Sequence, residues 1–239
     1  MKLPMQEKYD YKKYLCYFSI VAYLTIWLSS CEGKINSELI DSARIFDVTQ
    51  IQELLKKGGD PNYADSSGKT ALHWLCIFAE SKPGNSQRII HLLTGYGANV
   101  NLQDHDGNTP LFYAIKSGNY EATESLVNHG ARINIKNKYL QTPVFQAVSF
   151  IVAGNPEVNS MNYVRLLYEA GADLRVKDKE GKNLIHASRN PEVTAWLIEK
   201  GLNPKERDKY GKTPLDYSSS EIFQLRDSIA GFSVSRHKK

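Results

Sequence analysis

The 239 residues contain no Gly-x-Ser-x-Gly, no Cys-x-x-Cys and no glycine-rich phosphate loop. Nucleophile elbows, thiol redox pairs and nucleotide cradles each need one of those spacings, so these chemistries have no foothold. Histidine is sparse too. His91, His105, His129 and His237 show none of the spacings that hold zinc, and the carboxylates are scattered over turns and solvated helix faces, with no pair set in a cleft for acid and base work. Asp104-His105-Asp106-Gly107-Asn108 starts like a calcium loop, but no bidentate glutamate follows it. Net charge is only +4, of which Lys2, Lys8, Lys12 and Lys13 against Glu7 and Asp10 supply +2. The surplus left on the body is too small for general nucleic-acid binding, which neutralises many phosphates at once. Nothing points to a cofactor, a metal or a small-molecule substrate.

What is present is repetition. The stretch from Asp104 to Asn137 reads as a tight turn, a short helix opened by Thr109-Pro110, a break at Gly118-Asn119, a second helix and a close at Gly130. Threonine can cap a helix with its hydroxyl, proline suits the first helical position, and glycine suits the left-handed close. Leu111, Ala114 and Ile115 form one apolar stripe and Ala122, Leu126 and Val127 another. Two helices cannot bury both stripes.

The same grammar recurs. Thr70-Ala71-Leu72, Thr109-Pro110-Leu111, Thr142-Pro143-Val144 and Thr213-Pro214-Leu215 open repeats, with a degenerate copy at Asn183-Leu184-Ile185. Gly58, Gly97, Gly130, Gly171 and Gly201 close them at separations of 39, 33, 41 and 30 residues, so the unit is 33 with two additions and one deletion. A turn Asp-x-x-Gly-x-Thr-Pro-Leu-His before two short helices, with Gly-Ala-Asp behind them, resembles the ankyrin repeat over residues 37 to 230. The resemblance implies an all-α solenoid of helix-turn-helix repeats joined by hairpin-like loops. About six repeats are expected, near 37–65, 66–104, 105–137, 138–178, 179–208 and 209–233, followed by a flexible basic tail over 234–239.

Individual repeats depart from the unit. The first lacks the Thr-Pro-Leu opening but keeps Leu39, Ile40 and Ala43 on one stripe and Val48, Ile51, Leu54 and Leu55 on the other, with a polar remainder that suits a terminal cap. Repeats 2 and 4 carry additions around Ala79 to Ser86 and Ile151 to Asn159. Ile77-Phe78 and Phe150-Ile151 stand ahead of the breakers, so an extra helical turn is expected in both, packed internally or forming an apolar patch. Repeat 5 is three residues short and should lose most of a turn from its first helix. Ile222, Leu225 and Ile229 mark a helix in the C-terminal cap.

Residues 1–30 have the layout of an export signal: lysines, then an uncharged run from Tyr14 to Ser30 that is short for a spanning helix. Leu28-Ser29-Ser30-Cys31 resembles the bacterial lipobox, which implies acylation of Cys31, a tether over 31–36 and a permanent place on the periplasmic or cell-surface side of a membrane. An uncleaved anchor helix, with the repeats in the cytosol or facing a host target, is the alternative. Cys16 would leave with the leader and Cys31 would be blocked, so Cys76 is alone and no disulfide is expected. Cys76 stands at a small-residue position between helices and reads as an inert buried thiol.

The resemblance leaves a surface as the functional element. His73 and His186 fall at the Thr-Pro-Leu-His position, where the imidazole bonds to the turn and the opening residue. The projecting turns, or fingers, and the exposed side of the first helices would form a concave face that binds another protein, with the chain a monomer. Candidate contact residues are Trp74, His105, Asp106, Tyr113, Lys138, Tyr139, Leu140, Lys179, Lys182, Lys209 and Tyr210. Trp74 and Tyr113 have packing between repeats as an alternative use, and Leu140, standing where the other fingers have glycine, is expected to bend its finger differently. The first two fingers, with Asp60, Asp65, Lys69, Asp104 and Asp106, sum to −3. The last three sum to +6 through Lys136, Lys138, Arg175, Lys177, Lys179, Lys182, Lys205, Arg207, Lys209 and Lys212 against Asp178, Glu180, Glu206 and Asp208. Solvated finger tips account for that polarity, or it orients an acidic partner surface onto repeats 4 to 6 with Tyr139 and Tyr210 as anchors. A hydrolase hidden in the additions would need a His there, and Lys82 to Gln87 and Ala153 to Asn162 have none.

Overall fold

The computed structural model describes residues 33–78, 84–149 and 160–217. Helix α1 covers 33–44 and is followed by α2 (Val48–Lys56), α3 (Ala71–Ile77), α4 (Asn85–Gly95), α5 (Pro110–Ser117) and α6 (Tyr120–Asn128). Then come α7 (Pro143–Ser149), α8 (Ser160–Glu169), α9 (Leu184–Ala187), α10 (Pro191–Glu199) and a 3-10 turn at Pro214–Tyr217. Among the described residues there is no strand, and the solenoid is all-α. The leader, Cys31, the residues 79–83 and 150–159 of the two additions, the helix expected around Ile222 to Ile229 and the basic tail lie outside the described residues.

From α2 to α10 the helices are 4 to 11 residues long. Isolated helices of fewer than about 12 residues are marginal in water, so packing must hold them. It does so in two rows: α3, α5, α7, α9 and the 3-10 turn in one, and α2, α4, α6, α8 and α10 in the other. Leu111, Ala114 and Ile115 of α5 and Ala122 and Leu126 of α6 are wholly shielded. One core runs unbroken from Leu39 to Leu197. Each fully buried Leu or Ile contributes roughly 1.5–3 kcal/mol. The first repeat buries Leu39, Ile40, Ala43, Ile51, Leu54 and Leu55 and turns Gln50, Gln52, Glu53, Lys56 and Lys57 to solvent, which makes it a cap. Its first helix already includes 33–36, and Ile35 packs on the core, so part of the expected tether is helix.

Among the described residues, five fingers between repeats share one hydrogen-bond pattern. Asp65, Asp104, Asn137, Asp178 and Asp208 each use Oδ1 to accept from the backbone N–H groups two and four residues on, as Asp104 does from Asp106 at 2.9 Å and Asn108 at 3.0 Å. The next residue then reaches back to the preceding finger. His105 N donates to Ser67 O, Lys138 N to Asp106 O, Lys179 N to Tyr139 O and Lys209 N to Glu180 O, at 2.9–3.1 Å. On the exit side Asn62, Asn101 and Asn134 donate from Nδ2 to the glycine carbonyl of the next repeat (Gly97, Gly130 and Gly171) and accept on Oδ1 from the N–H of Asn99, Arg132 and Asp173. These clamps have no counterpart at Arg175, so the last described junction lacks one.

His73 joins a helix to a finger. Its Nδ1 accepts from the Thr70 N–H at 3.1 Å, which leaves the proton on Nε2, 3.1 Å from the Asn108 carbonyl of the next finger. Burial, the main cause, lowers its pKa, and the ring works as a neutral imidazole. His186 repeats the arrangement with Asn183 N and Lys212 O.

Three expectations are corrected. Thr109 makes no side-chain cap, and the hydroxyls of Thr109 and Thr142 are buried without a partner among the described residues. The reason is the residue three positions on: His73 and Asp216 pair with Thr70 and Thr213, whereas Phe112 and Phe145 cannot. Helix α3 gains no extra turn. It stops at Ile77 because Phe78 takes an extended backbone, φ −92° and ψ 134°, while Asn85 and Ser86 join the first turn of α4. The matching addition in repeat 4 lies outside the described residues, whereas α9 is a single turn, as its shortness implies.

The finger of repeat 4 is not bent differently. Leu140 sits at φ +60°, in the left-handed region with Gly68, Gly107, Gly181 and Gly211, and keeps the same bond from its N–H to Asn137 O at 2.9 Å. A left-handed conformation costs an L-residue roughly 1–2 kcal/mol, and Leu140 is too exposed to recover that by burial. Leu140→Gly is therefore expected to stabilise the protein by about 0.5–1 kcal/mol after glycine's own entropic cost, read as a higher urea midpoint with an unchanged slope. The reverse change, Gly107→Leu, should destabilise by more, since a Cβ there would lie 3.0 Å from Asn137 Cα.

Candidate protein-interaction surface

The fingers and first helices share one face, and its side chains divide into those committed to the fold and those left free. Trp74 and Tyr113 belong to the first group. Each stands nine residues after a finger carboxylate and donates to its second oxygen: Trp74 Nε1 to Asp65 Oδ2 at 2.7 Å and Tyr113 Oη to Asp104 Oδ2 at 2.5 Å. Tyr217 repeats this with Asp208 at 2.6 Å. Arg44 stacks 3.8 Å above the Trp74 ring, and Lys69 lies between Trp74 and Tyr113, 3.5 Å from Asp104 Oδ2. Both aromatics are half-buried against the core and tied to a finger by a hydrogen bond that the spacing alone does not announce.

These bonds set the local electrostatics. Burial alone would raise the Asp65 pKa, but donors from Ser67, Lys69 and Trp74 outweigh it and hold the group at about 2. Asp104 and Asp208 are likewise held low against burial by their tyrosine and backbone donors, and Tyr113 is pushed up by burial and the Asp104 bond. The donors thus favour the anionic form of these carboxylates. Burial raises the Cys76 thiol far above its ordinary value, which leaves it unreactive.

The remaining candidates lie on the fingers. The His105 ring sits over Gly68, 2.8 Å from where a Cβ would be, so a close approach there requires glycine. Asp106 pairs with Lys138, whose pKa is raised chiefly by that bond. Tyr139 lies between Lys138 and Lys179, with the ammonium groups 5.1 and 4.5 Å from its ring, and is 39% exposed. Leu140 is 47% exposed beside it. Lys179 carries no ion pair among the described residues, Lys182 pairs with Glu180 at 2.7 Å, and Lys209 donates from Nζ to Lys179 O at 2.5 Å. Tyr210 is 68% exposed. Tyr139, Leu140, Lys179, Lys209 and Tyr210 therefore gather on the fingers of repeats 4 to 6. His105 and Asp106 stand one finger away.

On the second-helix row the structure brings His91 and His129 together. His129 Nδ1 donates to Ser125 O at 2.7 Å, which leaves Nε2 to accept from His91 Nδ1 at 3.4 Å. They come from consecutive repeats but not from matching positions: His91 lies within α4, whereas His129 is the residue that closes α6. Among the described residues no third ligand joins them.

A family model described as ankyrin repeats (3 copies) matches residues 39–137 and 75–178, together more than half of the chain. The chain is 31% identical over 186 residues to the inhibitor of apoptosis OPG037 of monkeypox virus, which covers 75% of the chain and 39% of that relative. It is 31% identical over 172 residues to the ankyrin repeat protein nuc-2 of Neurospora crassa, covering 70% of the chain and 15% of the relative. A putative ankyrin repeat protein, L92, of Acanthamoeba polyphaga mimivirus is 38% identical over 68 residues, covering 28% and 15%. The chain thus spans well under half the length of these curated relatives. With two rows of short helices, five matching fingers and this match, the chain belongs to the ankyrin-repeat family.

Proposed function

We propose that this ankyrin-repeat chain is a non-catalytic scaffold, tethered through Cys31 to a bacterial membrane, whose finger face binds an acidic surface of another protein. Ankyrin repeats imply a protein-interaction scaffold, and the finer reading rests on the gathering of Tyr139, Leu140, Lys179, Lys209 and Tyr210. Exposed aromatics act as anchors in interfaces, and lysines that have not been neutralised steer an acidic partner onto them. No cofactor, metal or small-molecule substrate takes part, and the chain works as a monomer.

The tether rests on the leader alone, through Leu28-Ser29-Ser30-Cys31 and the lysines ahead of it. Two or three acyl chains hold a protein on a membrane for good. A second reading keeps the N-terminal run uncleaved and places the repeats in the cytosol or against a host target. It is favoured by relatives that come from viruses and a fungus. Palmitate labelling in a bacterial host separates the two. Label on the wild type that disappears in Cys31→Ala, with processing blocked by globomycin, supports the lipid anchor; equal label on both chains removes it.

For the binding surface, the double change Lys179→Glu with Lys209→Glu should reduce cross-linked partner about ten-fold, and Tyr210→Ala several-fold, with thermal midpoints held near the wild type. Unaltered capture by the charge-reversed chain would remove the finger face from the interaction.

A further inference from the structure

Nine residues after the finger Asp or Asn stand Trp74, Tyr113, Gln146, Ala187 and Tyr217. In the first, second and fifth fingers that residue brings an aromatic N–H or O–H onto the second carboxylate oxygen. In the third finger Asn137 replaces the carboxylate, and its Nδ2 donates to Asn108 Oδ1 at 3.1 Å, so no donor is called for. The fourth finger differs from all of these. Asp178 keeps the full carboxylate, only 9% exposed, but Ala187 offers it nothing, and among the described residues Oδ2 receives no hydrogen bond.

Ala187 also leaves space. Asp178 and Ala187 line a cleft of about 270 Å³, with Tyr139, Phe145, His186 and Tyr217 among its walls. Lys179, Lys182 and Arg189 stand on it against Asp178 and Glu180, three cations to two carboxylates. The site thus combines room for one ring, aromatic walls, an anionic acceptor missing its usual donor and a basic surround. The Asp178 carboxylate lines the cleft with one oxygen that takes no donor among the described residues, and the neighbouring fingers show which donor fits it.

We infer that this cleft takes a tyrosine side chain from the protein partner, its hydroxyl donating to Asp178 Oδ2 as Tyr113 and Tyr217 do within the chain, with acidic residues beside that tyrosine meeting Lys179, Lys182 and Arg189. The inference rests on the proposed finger-face binding and names the side chain that is read there. The hydroxyl must donate, so phosphorylated tyrosine, an anion facing Asp178, is excluded.

Full-length protein titrated with Ac-Glu-Glu-Tyr-Glu-Glu-NH2, its Phe counterpart and its phosphotyrosine counterpart tests this by NMR. The Tyr peptide should shift the Glu180 and Lys182 amides and bind about ten-fold more tightly than the other two. Asp178→Asn keeps the Oδ1 acceptor that shapes the finger, as Asn137 does. It should fold normally and lose the preference for Tyr over Phe. Ala187→Tyr should supply the donor internally, raise the thermal midpoint and abolish peptide binding. Equal affinity for Tyr and Phe, tighter binding of the phosphopeptide, no binding at millimolar peptide, or binding unchanged by Ala187→Tyr would each overturn the assignment. If charge reversal at Lys179 and Lys209 still abolishes partner capture while Ala187→Tyr does not, the tyrosine site fails and the finger-face reading stands.

Discussion

Each finger is built around one side-chain oxygen. Oδ1 of Asp65, Asp104, Asn137, Asp178 or Asp208 gathers the N–H groups two and four residues on, and this turns an irregular loop into a fixed shape. Hydrogen bonds to a charged acceptor contribute about 1.5–3 kcal/mol each, more than neutral ones. Asn137 performs the same task without charge, so geometry is the requirement and the carboxylate strengthens it. Because the finger is fixed, its first residue can donate to the finger before it, and the repeats acquire a register. That register lets short helices such as α9, four residues long, remain helical, since each borrows its core from its neighbours.

The connection from helix to finger is less uniform. His73 and His186 bond from a helix start to the carbonyl of the next finger, and Phe112 and Phe145 at the matching positions trade that bond for burial while leaving Thr109 and Thr142 unsatisfied. Apolar area offsets the loss, as each Phe is almost wholly buried. The central repeats thus rely on packing, and their flanking neighbours add polar links.

The phase of the repeats was legible because glycine, proline and threonine mark boundaries through backbone geometry, which depends little on context. Leu140 and Phe78 were misjudged for the opposite reason. Leucine in a left-handed position is held there by Asn137 and the rest of the finger, and an apolar residue after a helix does not say whether the helix continues. The Asn62, Asn101 and Asn134 clamps had a signal, each lying two residues after the exit Asp60, Asn99 or Arg132, but it becomes meaningful only when the next repeat stands beside it. Trp74 and Tyr113 read from sequence as surface or packing residues. Their bond to the finger carboxylate needs the nine-residue register and a three-dimensional partner. On the finger face, the exposed Tyr139, Leu140 and Tyr210 stand in repeats 4 to 6, with Lys179 and Lys209 beside them.

If the fingers set the register, damage to one must spread to the next. Native-state hydrogen exchange on Asp104→Ala tests this most directly, because the change removes Oδ1, together with the Oδ2 that accepts from Tyr113, and alters no helix residue. The Asp106 and Asn108 amides should lose protection about ten-fold or more, and the Lys138 amide, held by Asp106 O in the adjacent finger, should lose a comparable factor. Loss confined to Asp106 and Asn108, with Lys138 protected as in the wild type, would contradict the account.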